Sequence, residues 1–572
     1  MQSHGASMNL KLIRDNVHGD IRLHPHEMRI LRTAAFQRLH SCRQLGLTHL
    51  VYPAAKHSRF EHVLGVMHVA DQIATHLKNN GEVDWKESDE QWRVLRLGAL
   101  LHDMGHVPFG HTLEDEMPVI SKHDEPASDG NSRMESSIRQ VLTEAELVDY
   151  IGPVLQILTA ISESKDDRKL YASVEAGKIN PEYLVLADII GNTICADLLD
   201  YIKRDHLMTG IRATFDDRIF RYFGVGEHRF NGKQYRRVVI RLIKNGRVRN
   251  DCLADLLDIL KLRYNLSDKV LFHPRKCAAD AMLIKGVADL HILEKDLFNY
   301  SDDGFLDAFS DSSLIKALRT SDLYKPVFSA TIDGIASYDV DTREELINKL
   351  HRSASLRSRI EEKIEEAVGL PSKSVLLFVP RPQMTLKPVR VLVQWKDGTI
   401  RRLNEIKERD DLITGTQVRV LEDIYLRLWK LFLFVRADLR SYAYEVHKIF
   451  VDTLKEVANF SATCEPALFT YLGQTPEYRF GKALSDELTK NPEFARLSPN
   501  DRKRVAEISH KKLPRGKVDD RDAEPVAEPM ASRNESEVNS EIVKKIINHA
   551  LKQVTMKSGS RQQDLNLEKE SE

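Results

Sequence analysis

The sequence is poor in the features that would place it at once in a specialised class of protein. Its five cysteines, in 572 residues, form no C-x-x-C pair and are expected to be ordinary reduced thiols. No apolar run approaches the ~20 residues that span a bilayer, and the N-terminal residues lack a signal-peptide core. Lysine plus arginine (84) balances aspartate plus glutamate (85), so no basic bias demands a nucleic-acid partner. We therefore expect a cytoplasmic protein with no membrane partner.

What the sequence does contain is helical periodicity, which predicts a mainly α fold. Apolar residues recur at helix spacing over residues 26–45, 58–79, 90–104, 134–160, 181–208 and 251–298. We expect these segments to form a helical core over residues 9–300. A short alternating run around Asn245-Gly246 predicts a β-hairpin within that core.

A smaller α+β C-terminal lobe is predicted over residues 301–510. It begins with a charged helix at 343–368, continues with strands within 374–403 that turn at Lys396-Asp397-Gly398, and resumes as helix over 417–457.

Residues 511–572 are predicted to form a flexible tail with a short amphipathic helix. An acidic stretch containing proline and serine runs to about residue 539, and an apolar stripe follows. One row of that stripe is Ile542, Ile546, Ala550 and Val554. We favour docking of this helix on its own protein or a neighbouring subunit over an external partner. The basic cluster at 502–517 makes binding of nucleic acid possible, but we do not favour it.

Three separated segments carry the donor types of a divalent-metal site. They are His62 in HSRFEHVLGV, the doublet His102-Asp103 in LRLGALLHDMGH, and Asp197 in CADLLDYIKRD. Imidazole nitrogens mixed with carboxylate oxygens suit Mn²⁺, Fe²⁺, Ni²⁺, Zn²⁺ or, less well, Mg²⁺. We predict that His62, His102, Asp103 and Asp197 bind one divalent metal ion.

Each of these residues taken alone has a simpler interpretation. His62 lies in a largely apolar helix, where a histidine is more often a core residue than a ligand, and Asp197 alone could belong to an ion pair. Asp103 follows an apolar helical segment, where a carboxylate without a partner is costly. The three segments together favour the metal site.

These segments also resemble the HD-domain phosphohydrolases and, among them, the dNTP triphosphohydrolases. The resemblance runs from LKLIRDNVHGDIRLHPHEM through HSRFEHVLGV and HDMGHVPFGH to DLLDYIKRD, and continues more weakly to about residue 450. It implies an HD-domain helical core, the metal-ligand roles given above, and a homo-oligomer. It also implies hydrolysis at the α-phosphate of a nucleotide substrate, with release of deoxynucleoside and triphosphate.

The resemblance further implies catalytic roles for His106, His111 and Glu114. His111 and Glu114 form H-x-x-E, and a histidine oriented by a carboxylate can transfer protons near neutral pH. The alternative is a cluster at a helix start, with Glu114 merely favourable beside the positive end of the helix dipole. His123 either matches a further family histidine or lies in a surface loop.

Five substrate contacts are implied in the same way. Gln44 and Asp205 would contact the sugar 3′-hydroxyl, while Arg59, Tyr201 and Arg263 would contact phosphates. The spacing supports part of this set, because Tyr201 and Asp205 follow Asp197 at intervals of four residues and share one helical face with it.

The sequence departs from the family pattern at several positions. Leu198 replaces a phosphate-binding lysine and Leu271 a tyrosine that packs on deoxyribose, which weakens triphosphate binding and discrimination against ribose. Arg32 and His40 alter the family's regulatory guanine-nucleotide pocket. We predict a dNTP triphosphohydrolase; the alternative is an HD-type phosphodiesterase or nuclease, or a nucleotide monophosphate phosphohydrolase.

Overall fold

The protein is described by a computed structural model, which is mainly helical with a few small sheets and confirms the predicted fold class. The structure describes residues 10–86, 88–116, 120, 122–124, 132–290, 292, 294–331, 340–381, 391–426, 428–458, 476–495, 497, 502, 505, 546, 548–550 and 552–553. In this part of the chain, no helix is long and apolar enough to cross a membrane.

The α-helices comprise long helices, most of them within segments predicted from apolar periodicity, and shorter helices between them. They are α1 (Pro25–Leu31), α2 (Ala34–Gln37), α3 (Arg59–Asn79), α4 (Glu90–Leu101), α5 (Arg133–Glu144), α6 (Ile151–Glu163), α7 (Asp167–Glu175), α8 (Tyr183–Ile190), α9 (Ala196–Thr209), α10 (Asn250–Leu266), α11 (Pro274–Leu290), α12 (Glu294–Leu297), α13 (Asp302–Ala308), α14 (Ser313–Arg319), α15 (Val340–Arg352), α16 (Ala354–Val368), α17 (Leu412–Leu426), α18 (Ala443–Ala458), α19 (Pro476–Lys490) and α20 (Pro492–Ala495).

The strands are short and belong to small sheets. They are β1 (Lys11–Asp15), β2 (Gly19–Leu23), β3 (Phe223–Phe230), β4 (Lys233–Ile240), β5 (Ile243–Lys244), β6 (Arg247–Val248), β7 (Lys325–Thr331), β8 (Val375–Phe378), β9 (Leu392–Gln394), β10 (Ile400–Arg402) and β11 (Lys430–Val435). The order β10-β9-β4-β3 forms one sheet and β7-β11-β8 another, while β1-β2 and β5-β6 are hairpins.

Contacts divide the chain into two compact units. Unit 1 comprises Met1–Asp322 and Val379–Lys430, and unit 2 comprises Leu323–Phe378 and Leu431–Glu572. Segment 379–430 therefore belongs with the N-terminal part of the chain, because β9 pairs with β4 and the Tyr425 hydroxyl donates to the Leu260 carbonyl. The domain boundaries at residues 300 and 510 stay predictions. The compact units have other boundaries, at residues 322, 378 and 430.

Helix α3 is the central element of unit 1. Ser58 and Glu61 form a capping box at its start, in which Glu61 accepts from the Ser58 amide at 2.6 Å. Its apolar residues are almost fully buried against α4, α8 and α9. The helix therefore brings His62, in its first turn, into the middle of the hydrophobic core.

Both predicted hairpin turns are confirmed. Asn245 and Gly246 have φ values of 52° and 72° between β5 and β6, as a type I′ turn requires. Strands β9 and β10 pair antiparallel on either side of the turn at Lys396-Asp397-Gly398.

The helix prediction was wrong at Lys430–Val435. The predicted helix at 417–457 is α17, strand β11 and α18, because KLFLFV is the central strand of a sheet and is buried from Leu431 to Val435. A fully buried strand is a continuous apolar run, and its periodicity does not separate it from a buried helix.

Other predicted helices are interrupted at specific residues. The segment 181–208 breaks between α8 and α9 at Gly191, where a Cβ would lie 2.4 Å from Ile161 of α6. The segment 26–45 becomes α1, α2 and 3₁₀ turns, with Thr33 as a new N-cap. The segments 134–160, 251–298 and 343–368 are likewise each divided into shorter helices.

Only part of the predicted tail lies within the described residues. Ile546 and Ala550 are buried in a cluster with Leu484, Leu488 and Val505 of unit 2. Ile542 and Val554 lie outside the described residues.

Candidate active site and metal centre

The structure brings three of the four predicted metal ligands together. One donor atom each from His62, His102 and Asp103 lies within 4.8 Å of the others. Asp197, in the first turn of α9, places its Oδ1 3.2 Å from His62 Nε2. The four residues thus converge from α3, the end of α4 and the start of α9.

The tautomers of both histidines suit metal binding. His62 Nδ1 lies 2.8 Å from Asp200 Oδ2, and His102 Nδ1 lies 2.8 Å from the Ala99 carbonyl. Because each Nδ1 donates its proton to an oxygen, each Nε2 can present a lone pair.

A divalent cation fits this donor set. His102 Nε2 is buried and has no hydrogen-bond partner among the described residues. A buried nitrogen without a partner carries a desolvation cost that a bound cation would remove. Two imidazoles and two carboxylates are also the mixture that divalent transition metals and Mg²⁺ accept.

Behind the predicted metal ligands lies a buried charge network that sequence reasoning missed. Asp200 accepts from His62, from His18 Nε2 at 2.7 Å and from Arg204 Nη2 at 2.9 Å, while Arg204 also donates to Asp15 at 2.8 Å. Burial alone would raise the pKa of Asp200, but Arg204, His18 and His62 hold it well below its usual range. The carboxylate is therefore a fixed anion that orients His62.

Gly65 leaves the space that this network occupies. A Cβ at Gly65 would lie 1.9 Å from Asp200 Oδ1 and 2.4 Å from Arg204 Nη2. The sequence held a signal for the network: Asp200 follows Asp197 by three residues and precedes Arg204 by four on one helix.

A second group of imidazoles and carboxylates meets the metal-ligand set at Asp103. His106 is fully buried, with Nε2 3.2 Å from Asp103 Oδ1 and Nδ1 3.4 Å from Glu114 Oε2. Glu114 also accepts from His123 Nδ1 at 2.7 Å and from Arg133 at 3.0 Å. His106, His123 and Glu114 therefore form a connected group beside Asp103, one of the predicted metal ligands.

The surroundings keep Glu114 ionised. Burial would raise the pKa of its carboxyl group, but the imidazoles of His106 and His123 outweigh burial and hold the pKa well below its usual range. Glu114 is thus suited to orient and stabilise a charged imidazole rather than to donate a proton.

The predicted pairing of His111 with Glu114 needs correction. In the described part of the chain, the partners of Glu114 are His106, His123 and Arg133. His111 is exposed, and its ring lies 4.6 Å from that of His106. His123 Nδ1 lies 2.7 Å from Glu114 Oε2, the contact that the H-x-x-E spacing predicts for His111. The catalytic role of His111 stays a prediction.

Arg59, a predicted phosphate contact, is hydrogen-bonded to Asp103, a predicted metal ligand. It is 1% exposed, and its Nη1 donates to Asp103 Oδ2 at 2.5 Å. Its Nε is buried with no partner among the described residues. Gly110 provides the space for this guanidinium, since a Cβ there would lie 2.4 Å from Arg59 Nη2.

The predicted sugar contacts are linked through His57, which sequence reasoning also missed. His57 Nε2 lies 2.8 Å from Asp205 Oδ1, and its carbonyl accepts from the Gln44 amide at 3.0 Å. Gln44 Oε1 is buried and has no partner among the described residues. Gln44 and Asp205 are therefore both hydrogen-bonded to His57, Gln44 to its carbonyl and Asp205 to its ring.

Tyr201 and Arg263 lie close enough to interact electrostatically. Burial raises the pKa of Tyr201, and Arg263 opposes that effect. Burial by itself would lower the pKa of Arg263, but Tyr201, Tyr425 and Asp197 outweigh it and raise the pKa. Within the described residues no carboxylate forms an ion pair with Arg263. Its guanidinium is therefore available to bind an anionic group.

Comparison with known families identifies the domain that carries the site. The family model described as the HD domain matches residues 59–205. This range contains all four predicted metal ligands and the group around His106.

Two curated relatives and one solved structure extend the comparison. An uncharacterised protein of Methanocaldococcus jannaschii is 27% identical over 72% of this chain and 78% of its own length. A protein of Dictyostelium discoideum named deoxynucleoside triphosphate triphosphohydrolase SAMHD1 homolog is 30% identical over 36% of this chain and 38% of its own length. The chain thus spans less than half of the relative that has a named activity.

The solved structure supports the fold alone. A phosphohydrolase from Bacteroides thetaiotaomicron is similar over 74% of this chain and 99% of its own, with a TM-score of 0.51 and 19% identity.

Proposed function

We propose that this HD-domain protein is a metal-dependent nucleotide phosphohydrolase and, more narrowly, a dNTP triphosphohydrolase that releases deoxynucleoside and triphosphate. One observation carries the proposal. The Asp103 carboxylate lies among the proposed metal ligands. It also pairs with the buried Arg59 and lies beside His106, the buried imidazole next to Glu114. Phosphoryl transfer needs charge neutralisation, phosphate orientation and proton transfer at a single place.

His62, His102, Asp103 and Asp197 would hold the divalent metal ion. Bound there, such an ion polarises a phosphoryl oxygen and lowers the pKa of water. Asp200 supports this role, because it fixes the ring of His62 from the opposite side.

Arg59 and Arg263 would orient the phosphate groups. The fork-shaped guanidinium donates to two phosphate oxygens at once. Arg59 Nε has no hydrogen-bond partner among the described residues and is available as a donor. Tyr201 lies beside Arg263 and adds a hydroxyl donor.

The imidazole group would handle the protons. Water attack on the α-phosphate requires removal of a proton, and the departing 5′-oxygen requires one. His106 and His111 are the proposed donors and acceptors, and the ionised Glu114 stabilises the protonated form of His106. His123 and Arg133 keep Glu114 in place.

The alternative substrate is a phosphate ester with fewer phosphates. Leu198, which directly follows Asp197, is buried and supplies no cation. A mono- or diester carries less negative charge and needs fewer cations than a triphosphate does. A phosphodiesterase, a nuclease or a nucleotide monophosphate phosphohydrolase is therefore the second candidate.

Product analysis separates these functions. Purified protein is incubated with each dNTP and NTP, singly and mixed, and with nucleoside monophosphates and single-stranded DNA, in Mg²⁺, Mn²⁺ or Co²⁺. Ion-pair chromatography then identifies the products. Free deoxynucleoside with intact triphosphate establishes the proposal, whereas turnover of monophosphates or DNA alone establishes the alternative.

The double substitution His102→Ala with Asp103→Ala is the control for the site. It removes two proposed ligands and should abolish metal-dependent turnover. Full turnover in this variant would contradict the proposal. Light scattering on the same samples measures the expected homo-oligomer.

A further inference from the structure

Asp302 is a buried acid that reaches the site from outside the matched HD domain. It begins α13, follows the N-cap Ser301, and lies nearly a hundred residues beyond residue 205. It also lies just beyond the helical core predicted to end at residue 300. Its relative exposure is 1%.

The two oxygens of Asp302 bind the backbone of two different loops. Oδ2 accepts from the Arg43 amide at 2.8 Å, and Oδ1 accepts from the Phe109 amide at 2.9 Å. Arg43 precedes Gln44, the proposed sugar contact. Phe109 follows the His106 segment and comes two residues before His111.

The loop at Phe109 needs such a restraint. Phe109 has a φ of 61° and Gly110 a φ of 38°, and a non-glycine residue in the left-handed region persists only where its surroundings hold it. Gly110 in turn leaves the space occupied by the Arg59 guanidinium. The conformation that Asp302 stabilises is therefore the one that accommodates a proposed phosphate contact.

The backbone on either side of Arg43 is already hydrogen-bonded to the segment 57–59. The Gln44 amide donates to the His57 carbonyl, and the Arg59 amide donates to the Cys42 carbonyl. The Arg43 amide points the other way, as alternate amides do in an extended segment, and Asp302 accepts its hydrogen bond. Asp302 thus completes the hydrogen bonding of this segment.

We propose that Asp302 is a positioning residue that couples sugar recognition to catalysis by fixing the Gln44 loop against the Phe109–His111 loop. This inference rests on the proposed function. It predicts that loss of one carboxylate oxygen disturbs both loops at once, although Asp302 touches neither metal nor substrate.

Asp302→Asn is the test variant, because it keeps the size of the side chain. Its NH₂ group replaces one carboxylate oxygen and cannot accept the hydrogen bond that a backbone amide donates there. We expect kcat/KM for dNTPs to fall about 100-fold, the effect of a small misplacement of reacting groups. We also expect the preference for a dNTP over its 2′,3′-dideoxy analogue to shrink, since Gln44 would read the 3′-hydroxyl less well.

Glu27→Gln is the matched control. Glu27 is a fully buried carboxylate held by Arg96, so its loss also destabilises unit 1, but it contacts neither loop. The sugar preference should be unchanged in this variant. A similar loss of preference in both variants, or an unchanged kcat/KM in Asp302→Asn, would overturn the proposal.

Amide hydrogen exchange supplies a readout independent of activity. Peptides containing Arg43 and Phe109 should lose protection together in Asp302→Asn and keep it in Glu27→Gln. If Asp302→Asn does not fold, Asp302→Ser, which keeps one acceptor, is measured instead. Unchanged protection at either peptide overturns the coupling. Joint loss of protection in Asp302→Asn, found together with no nucleotide turnover by the wild-type protein, supports the coupling and refutes the proposed function.

Discussion

His62 and Asp200 form a buried pair in which His62 Nδ1 lies 2.8 Å from Asp200 Oδ2. The pair fixes the orientation of the imidazole and directs Nε2 toward Asp103 and Asp197. Asp200 is itself held by His18 and Arg204. The proposed metal ligands are thus supported by buried charges that lie behind them.

Removing the charge behind His62 should weaken metal binding. Asp200→Asn is expected to lower Mn²⁺ affinity about 10- to 100-fold, because an amide orients the imidazole less firmly than a carboxylate does. Titration calorimetry measures the effect. Asp188→Asn, at a buried carboxylate that binds Arg237 at 2.7 Å, is the matched control and should keep the wild-type affinity. Equal affinities in all three proteins would refute the role of Asp200.

A methyl group at Gly65 should be poorly tolerated. Gly65→Ala places a Cβ 1.9 Å from Asp200 Oδ1, and relief requires movement of a buried ion pair. We expect destabilisation of about 1–3 kcal/mol in denaturant unfolding. Gly152→Ala, in α6 with no atom within 4 Å of the new Cβ, should be neutral or slightly stabilising. Equal stability of the two variants would contradict the predicted clash.

Arg263 should matter for activity more than for stability. Removing a charge-assisted hydrogen bond to phosphate costs about 1.5–3 kcal/mol, so Arg263→Ala should lower kcat/KM roughly 10- to 100-fold. Arg218→Ala, at an arginine paired with Asp255, should leave kcat/KM unchanged. Wild-type kinetics in Arg263→Ala would remove this residue from the substrate site.

Stability should fall as the solution is acidified, and His447 should contribute to the fall. Burial lowers the pKa of His447 in α18 to about 4, so the unfolded chain binds this proton more readily than the folded chain does. The contribution is absent above the unfolded pKa of about 6.5, and stability is lost as the pH falls from there toward 4.

His447→Gln should remove this component. Between pH 7 and pH 5 the wild type should lose about 2 kcal/mol of unfolding free energy more than the variant does. His549→Gln, at an exposed histidine, is the control and should behave as the wild type. Identical pH profiles for wild type and His447→Gln would show that His447 is not protected from protonation.

The sequence predicted those elements whose signal is local. The helical periodicity, the turn at Asn245-Gly246 and the pairing of β9 with β10 depend on neighbouring residues, and the structure confirms them. Strand β11 was predicted as helix because burial on both faces removes the alternation that marks a strand. Asp197, Tyr201 and Asp205 lie in α9 at intervals of four residues, so their shared helical face was predictable from spacing, while their roles in the site stay predictions.

The residues that sequence reasoning missed act over long separations. His18 meets Asp200, His57 meets Asp205, and Asp302 meets Phe109, each across more than a hundred residues. His18, His57 and Asp302 carry no spacing motif, because hydrogen bonds between distant segments impose no periodicity on the sequence. His123 Nδ1 lies 2.7 Å from Glu114 across a separation of nine residues, a pairing that the H-x-x-E spacing does not predict.

The sequence by itself determined the donor types, because histidine and aspartate at these positions specify the chemistry that a metal site can have. Only the tertiary structure decided which nitrogen of each imidazole faces the site and which acid stands behind it. Tautomer, orientation and charge state follow from buried hydrogen bonds, and those form only when α3, α4, α9 and the loops beside them pack together.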